Sequence, residues 1–178
     1  MWNWYRSVQA TKNSAVAADV GLLGARVALA WIFVYHGSAT LFGAFGGAGV
    51  HRTSIFFSTV AHLHPAVPFT VLGGIIECFG GAAVGLGLFG RLAAAGLVGD
   101  MIVAMATVTF RNGIVSNAPG GGYELNLALV ALAFVVAVLG TGRLSLDATM
   151  RSARPGRAAP LPSGGPGAPD RPDQMATS

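Results

Sequence analysis

The stretch from Ala66 to Arg91, AVPFTVLGGIIECFGGAAVGLGLFGR, constrains the fold more than any other, because it is an apolar run carrying a single carboxylic acid, Glu77. At about 1.5 Å per residue, a helix from Ala66 to Phe89 crosses the roughly 30 Å hydrocarbon core of a bilayer. On that helix Glu77 shares a face with Gly73, Gly74, Gly80, Gly81 and Gly85, at spacings near multiples of three or four. Small residues admit a neighbouring backbone, and an acid turned to lipid is costly, so this face is expected to pack inward. The chain is therefore predicted to be all-α, a polytopic membrane protein folded as a four-transmembrane-helix bundle with a disordered C-terminal tail.

Composition agrees. Of the 178 residues, 53% are hydrophobic and only 10% charged, where a soluble domain carries nearer a quarter charged. The formal charge of +4 does not point to nucleic acid once positions are considered. Arg143, Arg151, Arg154, Arg157 and Arg171 all lie beyond the last apolar run, where they act as a membrane orientation signal. Cys78 is the one cysteine, which excludes an intramolecular disulfide and a C-x-x-C pair; it is expected to be a small buried apolar residue. The excess of Arg over Lys and the abundance of Gly and Ala match a GC-rich bacterium.

Residues 1–19 lack the apolar core of a secretory signal, and Trp2, Trp4 and Tyr5 beside Arg6 and Lys12 suit a headgroup-level interfacial anchor. The membrane domain is expected over residues 20–147, with spans at about 20–43, 66–89, 92–110 and 123–140. Between the first two, Thr53 to Leu63 is read as a helix lying along the interface. Gly90 and Arg91 leave room for only a tight turn before the third span, and Gly140 and Gly142 are expected to end the fourth. Residues 148–178, dense in Pro, Gly and Arg, have almost nothing to bury and are expected to be disordered. With both termini cytoplasmic, Arg6, Lys12, Arg91 and the tail arginines lie inside against Arg52 and Arg111 outside, the orientation the positive-inside bias favours.

Ionisable residues inside spans are functional hypotheses by default. Helix rise puts Arg26 roughly 9 Å, Asp100 roughly 14 Å and Glu77 roughly 17 Å from the cytoplasmic side, close enough in level to form an intramembrane polar cluster if their helices adjoin. One arginine cannot neutralise two buried acids, so a carboxylic acid that keeps its proton, Glu77 above Asp100, is expected. Such a group suits a proton relay or a hydrogen bond to a quinone; the alternative is that the cluster only holds the bundle together. Nearer the outer surface, His36 and Glu124 form a candidate polar pair, with Glu124 also placed to cap its helix. His51, His62 and His64 are expected to be solvated loop histidines, since no cysteine or nearby acid completes a metal set. Haem is disfavoured because His36 is the one histidine in a span. No cofactor motif is evident.

The runs RVALAWIFVYHGSATLFG, LGGIIECFGGAAVGLGLFGRLAAAGLVGDMIVAM and GGYELNLALVALAFVVAVLGTGRLSLD together resemble the DoxX family of small bacterial membrane proteins, over about Val20 to Asp147. The resemblance is carried by Glu77, Gly80, Gly81, Gly87 and Arg91, by Glu124-Leu125, and by the closing Gly140 to Asp147. It implies a four-helix bundle associated with membrane oxidoreductase systems, quinone-linked or tied to oxidative and thiol stress, with Arg26, Glu77 and Glu124 at positions carrying the same residue types in the family. One departure stands out. Where the family often has a lysine after the His-Gly pair, this chain has Thr40, which removes any part that lysine plays in holding an anionic substrate or quinone headgroup. The expected function is a membrane subunit of an oxidoreductase assembly in the bacterial plasma membrane, contacting quinone or relaying protons. Its expected partners are the lipid bilayer, a soluble or membrane oxidoreductase and a second copy of itself. A non-catalytic scaffold or assembly factor and a small transporter are the alternatives.

Overall fold

The computed structural model describes residues 2–117 and 121–153, with side chains from Ser14 onward. The aromatic anchor expected near Trp2 and the tail from residue 154 on lie outside the described residues. Six helices follow one another: α1 (Trp2–Phe42), α2 (Gly49–Thr59), α3 (Ala66–Leu86), α4 (Gly90–Asn112), α5 (Glu124–Leu139) and α6 (Leu146–Ser152), with no strand among the described residues. Three are long and apolar enough to cross a membrane, namely the Ser14–Phe42 part of α1, α3 and α4. The fourth bundle helix, α5, has 16 residues and a rise of roughly 24 Å.

Several boundaries differ from those read in the sequence, each for a local reason. Helix α3 stops at Leu86 because Gly87 adopts a left-handed φ of 68°. There Gly87 N–H donates to the Val84 carbonyl and Leu88 N–H to the Ala83 carbonyl, the paired bonds of a Schellman close. The turn before α4 is thus Gly87–Phe89, ahead of the expected Gly90-Arg91. The outer connection forms its helix at Gly49–Thr59, earlier than expected, after Gly43, Gly46 and Gly49 turn the chain with positive φ. Helix α6 carries order to Ser152, past the expected start of the tail at 148, because the Ser145 hydroxyl caps it by accepting from Ala148 N–H at 3.2 Å. Gly140, at φ 87°, ends α5.

The bundle is apolar outside as well as inside. Trp31, Leu92, Phe79 and Phe134 are all more than half exposed, while Arg26 is among the most completely buried side chains. That distribution suits a hydrocarbon solvent. The core is Leu29, Phe33, Val84, Leu97, Leu129 and Val136, one layer shared by α1, α3, α4 and α5. The α3 glycines divide between two neighbours. A Cβ on Gly74, Gly81 or Gly85 would press on Leu41, Phe33 or Ala30 of α1 at 2.7–2.8 Å, whereas Gly73 and Gly80 face Asp100 and Leu97 of α4. From the other side, Gly37 of α1 lies directly on the backbone of Cys78. Missing side chains therefore bring two helices against the segment that carries Glu77.

Candidate functional site

At the end of the bundle holding the α3–α4 turn, the termini of α3, α4 and α5 each meet a side chain from another part of the chain. The Arg26 guanidinium donates from Nε to the Val84 carbonyl (2.9 Å), from Nη2 to Gly85 (2.7 Å), and from Nη1 to Thr141 (2.8 Å) and Leu144 (2.7 Å). Two of these acceptors belong to the last turn of α3, whose carbonyls have no partner within their own helix. Arg91 does the same for α5, donating from Nη2 to the Val138 carbonyl at 2.9 Å. Asp147 covers the opposite polarity, accepting from the N–H groups of Phe89 (2.9 Å) and Gly90 (3.1 Å) where α4 begins. Glycine is required here: a Cβ on Gly87 would meet Ser145 Cβ at 2.5 Å and Arg26 Nη2 at 2.6 Å.

Arg26 therefore does not join Glu77 and Asp100, which corrects the three-residue cluster expected from depth alone. Its level lies beside the last carbonyls of α3, and these engage the guanidinium first. Among the described residues the ion pair is Arg143 with Asp19, at 3.3 Å on the surface.

The two acids meet instead at a cavity of about 520 Å³ between α1, α2, α3, α4 and α5. Glu77, Asp100, His36, Asn126 and the threonines at 40, 53, 107 and 109 supply its polar lining; Phe33, Phe56, Phe57 and Phe69 are part of the apolar remainder. No Lys or Arg lines it. The Asp100 carboxyl reaches across to α3, where a Cβ on Gly73 would lie 3.4 Å from its Oδ1. Glu77 sits in a π-helical turn, Ile76–Gly80, and a second π-helical turn, Met105–Thr109, borders the same cavity from α4. Single π-turns inside α-helices are frequent at functional sites. The volume and mainly apolar lining with a few converging polar groups fit a small ring-bearing molecule such as a quinone headgroup.

The second expected pair is not brought together. His36 lines the cavity, its ring 5.6 Å from that of Tyr35, whereas Glu124 is exposed at the first position of α5, and no bond links them among the described residues. His51, His62 and His64 are exposed, and no three His, Cys, Asp or Glu side chains among the described residues group to hold a metal.

With this geometry in view, the comparison with known families is informative: the DoxX family model matches residues 21–110. The chain belongs to the DoxX family. No curated protein and no solved structure matches it. As a DoxX protein with three helices of spanning length, it is an integral membrane protein that works in a lipid bilayer. The DoxX match takes in Arg26 at the turn end and His36, Thr40, Glu77, Asp100 and Thr109 in the cavity, and so spans most of the polar lining.

Sequence reasoning missed three residues of this DoxX protein. Asp147 closes the Gly140–Asp147 motif, so its position was marked but its role as a cap on α4 was not. Asn126 faces the cavity from α5, where its Nδ2 donates to the thioether of Met101 at 3.6 Å. Thr109 is buried with its Oγ1 unpaired. No pattern in the sequence marks either of the last two.

Proposed function

We propose that this protein is a membrane subunit of an oxidoreductase assembly whose cavity receives the headgroup of a quinone-like ligand, with Glu77 and Asp100 exchanging protons with it. One observation carries the reading: two carboxyl groups face a single intramembrane cavity with no Lys or Arg in its lining. Intramembrane acids without a structural partner mark ligand or proton sites. Electrons would come from a soluble or membrane partner that holds the redox cofactor. Thr40 stands in the lining where the family resemblance leads to the expectation of a lysine, which favours an uncharged headgroup over an anionic substrate. The protein resides in the bacterial plasma membrane with both termini cytoplasmic; the clustering of Arg91, Arg143 and Arg151 at one end of the bundle supports that orientation.

The test is quinone reduction in membranes containing Glu77→Gln or Asp100→Asn at matched protein level. Rates should fall at least tenfold; unchanged rates would remove the proposal. A non-catalytic scaffold is the second reading, favoured by the purely architectural bonding of Arg26. It predicts that every redox readout follows the amount of folded protein and nothing else.

A further inference from the structure

We infer that Thr109 is a ligand-binding residue, the second anchor of an uncharged, ring-bearing molecule whose other polar end meets Glu77 and Asp100. The inference rests on the cavity reading above and adds to it a residue, a ligand orientation and a charge class.

Several helical threonines send their hydroxyls to the carbonyl four residues back, whereas Thr40 and Thr53, partly exposed in the cavity lining, do not. Thr59 bonds Ile55 at 2.8 Å, Thr70 bonds Ala66 at 2.9 Å, and Thr107 bonds Val103 at 2.8 Å. Thr109 differs: it is 5% exposed, it lines the cavity, and its Oγ1 is the one buried side-chain oxygen or nitrogen without a partner among the described residues. It ends the π-helical turn Met105–Thr109, and the carbonyl four residues before it, that of Met105, accepts instead from Phe110 N–H. A buried hydroxyl without a partner is a standing cost to the fold and calls for an explanation. A ligand in the adjoining cavity supplies one. Asn126 offers a second polar group from α5, since its visible bond is to a thioether, a weak acceptor.

Spacing constrains the ligand. Nine residues of helix separate Asp100 from Thr109, a rise of roughly 13 Å. After a hydrogen bond of about 3 Å at each end, roughly 7 Å remains between the ligand's polar atoms, a span that the reach of the two side chains shortens toward that of a quinone ring with carbonyls on opposite edges. Charge constrains it further. With two carboxyls and no Lys or Arg in the lining, a carboxylate, sulfonate or phosphate would enter without a guanidinium or ammonium to pair with.

The experiment uses the full-length protein in mild detergent, with menadione as the uncharged two-ring probe and its sulfonated analogue as the anionic one. Thr109→Val keeps the shape and removes the hydroxyl; Thr109→Ser keeps the hydroxyl. Menadione should bind Thr109→Val about five- to tenfold more weakly than wild type and Thr109→Ser within about twofold. Without ligand, Thr109→Val should melt roughly 2–5 °C higher, because the unpaired hydroxyl is gone. A merely structural hydroxyl would give the same rise with menadione affinity unchanged, and that result overturns the inference. Should Thr109→Val not fold, Thr109→Ala must show the same loss of affinity. Two controls separate this inference from the reading beneath it. If wild type binds menadione and Glu77→Gln weakens it while Thr109→Val does not, the anchor alone fails. If wild type does not bind menadione, or Glu77→Gln leaves binding unchanged, both fail. Sulfonated menadione binding as tightly as menadione overturns the charge class.

Discussion

The two polar regions of this protein solve the same problem in opposite ways. At the turn end, Arg26, Arg91 and Asp147 are bound to helix termini, so donors and acceptors match across the α3–α4 turn and the Gly140–Asp147 loop. In the cavity, Glu77, Asp100 and Thr109 share one space, Thr109 keeps a hydroxyl without a partner, and no cation joins them. Each region places costly groups away from water. The difference is that the first closes its network within the protein and the second leaves it open to something else. Ionisable residues in a span are thus of two kinds, told apart by where their hydrogen bonds go.

The largest effects should come from breaking the closed network. Arg26→Leu removes the guanidinium bonds to Gly85, Thr141 and Leu144 and leaves Val84 with only its Gly87 N–H donor, and should cost about 4 kcal/mol or more, read as loss of folded protein and a sharply lower melting temperature in detergent. Arg26→Lys should recover less than half of this, because an ammonium cannot span four acceptors as a planar fork does. Gly87→Ala comes next. It combines a left-handed φ of 68° with a Cβ pressed onto Ser145 and Arg26, for about 3 kcal/mol by the same measurement. Asp147→Ala should cost about 1 kcal/mol, the usual worth of a lost helix cap, and should speed hydrogen exchange at the Phe89 and Gly90 amides. A silent Arg26→Leu would erase the distinction between the regions.

How far these regions can be read from sequence follows from what kind of partner each residue takes. The helices are legible, since long apolar runs have no other use in a chain this poor in charge. Their ends are less so: Gly87 and Gly90 look alike in sequence, and only Gly87 turns left-handed, because Leu88 and Gly87 find the Ala83 and Val84 carbonyls. The glycine face of α3 is visible as a spacing, but that spacing does not reveal that Gly74, Gly81 and Gly85 serve α1 while Gly73 and Gly80 serve α4. Arg26 was open to misreading because its acceptors are backbone carbonyls, which every residue has and no letter marks. Matching charge with charge pointed it at Glu77 and Asp100. Thr109 is invisible for a related reason: whether its hydroxyl finds a partner is marked by no residue letter or spacing, and Thr107 two residues earlier is paired.

The smallest stability effect sharpens the comparison most. Glu77 and Asp100 have no hydrogen bond to the protein among the described residues, and both line open space. Replacing each carboxyl by its amide keeps shape and volume and removes no contact that holds helices together. The double variant Glu77→Gln, Asp100→Asn should therefore fold as well as wild type, with a change within about 0.5 kcal/mol and a melting temperature shifted by no more than roughly 2 °C. It should do so while losing menadione binding. An arginine at similar depth would then matter for folding and two acids only for the ligand, although an intramembrane charge count treats all three alike. If the double variant instead melts as low as Arg26→Leu, the acids are packing elements too, and an open network would be the wrong description of the cavity.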